Sequence, residues 1–133
     1  MSVALSAPEP IASHHELGEF NCGVGSLNEW LRRRARANQA NDASRTFVVC
    51  DGSRVVAYYA LATGGIATGA TVGRFRRNMP DPIPIIILGR LAVDEGYRGR
   101  GLGRALFRDA ARRVFCAADS IGVRGIIVHA ISD

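Results

Sequence analysis

The segment from Ile83 to Ala105, "IPIIILGRLAVDEGYRGRGLGRA", constrains this chain more than any other. Its first half is a continuous aliphatic run, which reads as a strand buried on both faces. Gly89 interrupts that run, and a glycine inside a strand marks a bulge or a close backbone approach. The second half sets Gly99, Gly101 and Gly103 at alternate positions just where a helix is due to begin. Glycine within a helix costs about 1 kcal/mol relative to alanine, so three in succession need a reason beyond structure. Strand, glycine turn and helix in that order make an anion site. The helix N-terminus offers unpaired amides and a partial positive charge, and glycines let a phosphate reach the backbone.

Two nucleotide motifs fail here. A Walker loop requires a lysine, and all 17 basic residues of this chain are arginine. The dinucleotide fingerprint requires a third small residue, but Arg104 or Leu106 stands at that place, depending on which glycine pair is taken. Only one strand follows the helix, too few for a second βαβ unit.

The remaining chain reads in order. Residues 1 to 25 are expected to be irregular, broken by Pro8, Pro10, Gly18, Gly23 and Gly25. Ser26 with Glu29 three residues on forms a capping box, opening one helix from about Leu27 to Ala40 with Leu27, Trp30, Leu31 and Ala35 inward. "RTFVVC" and "VVAYYALA" read as a hairpin turning at Asp51-Gly52. Residues 63 to 82 read as a loop carrying Arg74, Arg76 and Arg77. A second helix from Gly103 to Ser120 buries Leu106, Ala110, Val114, Ala117 and Ile121, shows the row Arg104, Arg108 and Arg112 on another face, and ends at a cap glycine, Gly122. "RGIIVHAI" is a last strand, expected to lie parallel to "IIILGRLAV" through a right-handed crossover.

The 133 residues are expected to form one domain, 1–133, large enough for a real core. "MSVALSAPEPI" has no basic start or sustained apolar run, so a soluble, cytoplasmic protein with no membrane segment is expected. Cys22, Cys50 and Cys116 match no metal or redox spacing, and no metal site is expected. The net charge of +5 directs attention to anionic partners. The absence of lysine fits an amine-modifying enzyme that spares itself, and equally a compositional bias of the source genome.

Arg98, Gly101 and Gly103 satisfy R-x-x-G-x-G between a buried strand and an amphipathic helix. This pattern resembles the acetyl-CoA signature of the GNAT family of N-acetyltransferases. The resemblance implies an α/β GNAT fold, a mixed and largely antiparallel sheet with one splayed parallel pair. It implies acetyl-CoA as cofactor, held by Leu91, Ala92 and Val93 on the strand and by Arg98, Gly99, Arg100, Gly101, Leu102, Gly103, Arg104 and Ala105 on the turn. A bulge at Gly89 to Leu91 would open the splay and aim a backbone amide at the thioester carbonyl.

Further stretches, "FNCGVGSLNEWLRRRARANQANDASRTFVV", "RRNMPDPIPIIILGRLAVD" and "GRALFRDAARR", narrow the likeness to the acetyltransferase toxins of bacterial toxin–antitoxin pairs. That resemblance covers about Phe20 to Ala130. It implies acetylation of the α-amine of charged tRNA, arrest of translation, and neutralisation by a ribbon-helix-helix antitoxin that also binds operator DNA. Arg32, Arg33, Arg34 and Arg36, with Arg74, Arg76 and Arg77, are then candidate tRNA contacts, although a charge run on a helix is commonly just a solvated face.

The family's last helix, with its tyrosine general acid, and its last strand lie beyond Asp133 in the motif order, so the chain reads as C-terminally truncated. No catalytic residue is assigned: Tyr58, Tyr59 and Tyr97 do not match that position, and His129 reads as a structural strand residue. A sheet lacking its last strand exposes an edge, and a homodimer is expected. Two rival readings stay open: an acetyltransferase for small-molecule or protein amines, and an inactive fragment that binds acetyl-CoA or antitoxin.

Overall fold

The computed structural model describes residues 5–66, 83–121 and 126–128. Its strands form one five-stranded sheet in chain order, β1 (Glu9–Pro10), β2 (Arg45–Asp51), β3 (Arg54–Ile66), β4 (Ile83–Val93) and β5 (Ile126–Val128). The first four pair antiparallel, and β5 runs parallel to β4 with Ile86 opposite Ile126 and Leu88 opposite Val128. Helices α1 (Gly25–Arg33) and α2 (Ala35–Ala40) cover one face, and α3 (Leu102–Ile121) covers the other. The mixed sheet with one parallel pair is the architecture expected of the strand–turn–helix unit.

Two cores result. Phe20, Leu27, Leu31, Ala35, Val48, Val55, Tyr58 and Ala92 pack under α1 and α2. Val49, Val56, Tyr59, Leu88, Leu106 and Ala110 pack under α3. Consecutive residues of β2 and β3 feed opposite cores because successive side chains of a strand point to opposite faces. Arg104, Arg108 and Arg112 are exposed on α3, as the periodicity required.

Several local expectations are corrected. The Ser26–Glu29 capping box does not form: α1 starts at Gly25 behind Val24 with no side-chain cap. Asn28 works instead, its Oδ1 accepting the Cys22 amide at 2.9 Å. The helix expected to reach Ala40 is interrupted at Arg34, whose φ of −118° departs from helical values. Nothing in the local propensities stops it there; the burial of Ala35 is a tertiary contact.

The turn of the hairpin falls on Gly52 and Ser53, because Asp51 already pairs with Arg54. Residues 63 to 66 belong to β3 rather than to a loop, since β4 begins at Ile83 and supplies them with partners. The N-terminal segment, expected to be irregular, runs beside β2 as β1, with Pro10 on the sheet edge where its missing N–H is tolerated. Gly122, His129, Arg74, Arg76 and Arg77 lie outside the described residues.

Candidate cofactor cleft and acceptor face

The candidate site grows from the downstream half of β4. Ala60 pairs with Arg90 and Leu61 with Leu88, which leaves Gly89 as one extra residue, the bulge the sequence pointed to. The described pairing of β4 with β5 ends at Leu88, one residue before that bulge. Leu91 and Val93 then pack toward α3, while Ala92 is buried on the α1 side.

After Val93 the chain is pinned by Asp94, a buried carboxylate that accepts the amides of Gly96 at 2.9 Å and Asn21 at 3.0 Å. Arg54 adds an ion pair to it at 3.4 Å. A short 3-10 turn (Glu95–Tyr97) leads into the glycine segment. Gly99 has φ +78° and Gly101 φ +77°, a left-handed conformation that strains any residue with a Cβ. A Cβ built at either would meet nothing within 4 Å, so the turn faces open space. At Gly103 a Cβ would only touch Leu91, at 4.0 Å.

The first amide tied into α3 is that of Ala105, which donates to the Gly101 carbonyl at 3.0 Å. Among the described residues, the amides from 99 to 104 have no partner. Six free donors at the positive end of a 20-residue helix, on an open glycine turn, form a cradle for a phosphate or pyrophosphate. These residues fit the pyrophosphate of a coenzyme A.

The side chains around the turn hold it in shape. Tyr97 donates to Asp51 Oδ2 at 2.6 Å, and Arg100 and Arg54 lie over its ring at 5.1 and 5.6 Å. The bond to Asp51 holds the Tyr97 hydroxyl above its ordinary pKa. Arg98, expected at the phosphates, donates to the Cys22 carbonyl. Arg104 and Ala105 are exposed and Leu102 is half-buried at the start of α3. The turn residues 99 to 105 thus lie together on an open face, whereas the Arg98 side chain is turned to Cys22 and Ala92 is buried on the α1 side.

The candidate tRNA arginines divide. Arg32 donates to the Phe20 carbonyl at 2.5 Å, and Arg36 to the carbonyls of Ala12, Ser13 and His15. Those two hold the N-terminal segment, while Arg33 and Arg34 point outward, exposed. Tyr58 and Tyr59 are fully buried, donating to the Leu27 carbonyl at 2.7 Å and to Asp109 at 2.5 Å. Burial pushes both hydroxyls far above the ordinary tyrosine range.

Glu9, His14 and His15 bring three ligand atoms within 4.8 Å of one another. Both ring nitrogens of His15 are already used, by the Ala12 amide and by Glu9, each at 2.8 Å. A cavity of about 450 Å³ lies between the far half of α3 and the sheet, lined by Phe47, Leu61, Ile86, Val114 and Ala117.

The model of the acetyltransferase (GNAT) domain matches residues 42–130, which include β2 to β5, the bulge and the turn. The chain belongs to the GNAT acetyltransferases. Membership in that family assigns the chain acetyl transfer from acetyl-CoA. The chain is 52% identical over 128 residues to a tRNA-acetylating toxin of Mycobacterium tuberculosis, covering 96% of this chain and 77% of that one. Its fold is similar to that of AtaT complexed with acetyl-methionyl-tRNAfMet, with a TM-score of 0.84 at 26% identity, over 98% of this chain and 80% of that one. It is also similar to an AtaT toxin variant bound to the C-terminus of the antitoxin AtaR and acetyl-CoA, with a TM-score of 0.81 at 27% identity, over 97% of this chain and 77% of that one. Among the described residues, no helix of this GNAT chain is long and apolar enough to cross a membrane.

What the sequence did not disclose is how this GNAT site is fastened. Asn21 and Asp94 touch across 73 positions, and no local pattern signals that contact. The consequence of the Gly89 bulge for Arg90 was equally hidden, although the glycine itself was visible.

Proposed function

We propose that this chain is the acetyltransferase toxin of a toxin–antitoxin pair, acetylating the α-amine of aminoacyl-tRNA and so halting translation. The observation that carries this reading is the 52% identity, over nearly the whole chain, to a tRNA-acetylating toxin. The likeness to a structure holding acetylated methionyl-tRNA supports the same acceptor class.

The chain's residues suit that task. The amides from 99 to 104 hold the pyrophosphate, and the strand edge of Gly89 to Val93 receives the amide-rich arm. Acetyl-CoA, when bound, supplies an activated acyl group. A backbone amide at the bulge orients the acyl carbonyl and stabilises charge on its oxygen. The amine of an aminoacyl ester is less basic than that of a lysine, so the protein need do little to keep it neutral. Tyr58 and Tyr59 serve the core rather than proton transfer, because each is buried and already donating its proton. Arg33 and Arg34 on α1 meet tRNA phosphates. The chain works as a homodimer in the cytoplasm, and a ribbon-helix-helix antitoxin, which also binds operator DNA, neutralises it.

The test is transfer of radiolabelled acetyl groups from acetyl-CoA to charged tRNA, with the same tRNA deacylated as control. Label that appears only on the charged pool, and leaves it on mild alkaline cleavage of the ester as N-acetyl amino acid, is expected. Transfer to free amines or to protein lysines, with none to charged tRNA, would overturn the reading in favour of a general amine acetyltransferase.

A further inference from the structure

Gly89 does more than mark a bulge. Residues two apart in a strand normally share a face, yet Leu88 packs in the α3 core while Arg90 lies against Trp30 of α1. The extra residue between them resets the alternation, so Arg90 and Ala92 face α1 while Leu91 and Val93 face α3. Were the strand regular through Gly89, the Arg90 side chain would share the face of Leu88, on the α3 side. Bulges next to active sites commonly re-aim a side chain in this way.

The re-aimed guanidinium is held firmly. Its carbon stands 4.5 Å from the centre of the Trp30 ring. Trp30 in turn stacks on Tyr58 at 5.9 Å with the planes 11° apart. Tyr58 is itself fixed, fully buried, against Phe20 at 5.5 Å and the Leu27 carbonyl. Arg90 is half-buried, and among the described residues no carboxylate lies within ion-pair distance of it. It thus presents planar N–H donors just past the Gly89 bulge, on the face opposite α3. Such a cation binds an acceptor oxygen well, and it disfavours a second positive charge nearby.

We propose that Arg90, re-aimed by the Gly89 bulge and braced by Trp30, is a substrate-binding residue that takes the ester oxygen of the acceptor's aminoacyl group. This rests on the aminoacyl-tRNA reading of the preceding subsection. Because a guanidinium repels an ammonium, the site admits the acceptor with its α-amine neutral, the form that can attack. Trp30 contributes by fixing where the guanidinium stands. Arg33 and Arg34 act further out, on phosphates that charged and uncharged tRNA share, whereas Arg90 reads the aminoacyl group itself.

The experiment measures binding without turnover. Bulk aminoacylated tRNA, and the same pool after deacylation, are titrated against wild type, R90Q, R90K, W30F and the exposed-helix control R108A, with acetyl-CoA affinity measured separately for each. Wild type is expected to prefer the charged pool. R90Q is expected to lose about tenfold of that preference, with its affinities for deacylated tRNA and acetyl-CoA unchanged. R90K and W30F should retain part of it and R108A all of it. R90Q that keeps the full preference, or that loses acetyl-CoA binding instead, overturns the role of Arg90. Wild type that shows no preference for the charged pool overturns the aminoacyl-tRNA reading together with this one.

Discussion

The amide of Asn21 donates to the carboxylate of Asp94 at 3.0 Å, joining the segment before α1 to the start of the cofactor turn. Glu95 returns a bond from its own amide to the Asn21 carbonyl at 2.9 Å, and Arg98 donates to the carbonyl of Cys22. Gly23 sits beneath this knot at a φ of +88°, a left-handed conformation that strains any residue with a Cβ. The turn that offers its amides to the cofactor is therefore shaped from outside itself. D94A removes a buried acceptor of two amides and an arginine. It should cost about 2–4 kcal/mol of stability in denaturant unfolding and weaken acetyl-CoA binding measured by calorimetry. Unchanged cofactor affinity would show that the turn holds its shape without Asp94.

The turn's glycines give a sharper test of where the cofactor sits. Gly101→Val introduces a branched side chain at a φ of +77°, strained by about 1–2 kcal/mol even in open space, and places bulk where the phosphate must approach. Acetyl-CoA affinity should fall at least about tenfold, while Arg108→Ala leaves it unchanged. Equal affinities for wild type and Gly101→Val would refute the placement.

Asp109 predicts an acid-labile fold. Burial pushes its pKa up, but the bonds from Tyr59, Arg113 and Arg112 outweigh this and leave its carboxyl below the ordinary value. A depressed carboxyl contributes stability that is present above its unfolded pKa, about 4, and lost as the pH falls through the folded value. Wild type should therefore lose stability on acidification below about pH 4. D109N should be less stable at neutral pH and show a shallower acid slope in urea titrations. Parallel slopes would remove Asp109 as the cause.

The arginines of α1 should separate by role. Ala at Arg33 and Arg34 should weaken tRNA binding and flatten its salt dependence by about one unit of slope per lost phosphate contact, with the melting temperature unchanged. Ala at Arg36, which clamps the carbonyls of Ala12, Ser13 and His15, should instead lower the melting temperature. Filter binding over a salt series and thermal unfolding read the two effects.

Thiol labelling checks the packing. Cys116 is exposed, whereas Cys22 and Cys50 are buried and burial pushes the Cys50 thiol up to about 11. One thiol should react quickly in the native protein and the other two only on unfolding. Fast labelling of Cys50 would contradict the seating of β2 between its neighbours.

Much of this protein is settled by local sequence. The aliphatic run of β4, the glycine turn and the amphipathic spacing of α3 each carry their own local signal, so the strand–turn–helix unit could be read directly. The positive φ at Gly99 and Gly101 falls on residues that adopt it without a Cβ penalty, and the bulge falls at the glycine that interrupts the aliphatic run. What only the tertiary structure decided lies in contacts between distant segments. β1 forms because β2 offers it an edge, although the segment's own composition favours no strand. α1 ends at Arg33 although local propensity would carry it on, and Asn28 displaces Ser26 as the anchor of its first turn. Arg98 holds Cys22, and Arg90 faces Trp30 because the strand bulges at Gly89 instead of alternating regularly through it. Local preferences are worth about 1 kcal/mol or less per residue, and long-range burial and hydrogen bonding can exceed them.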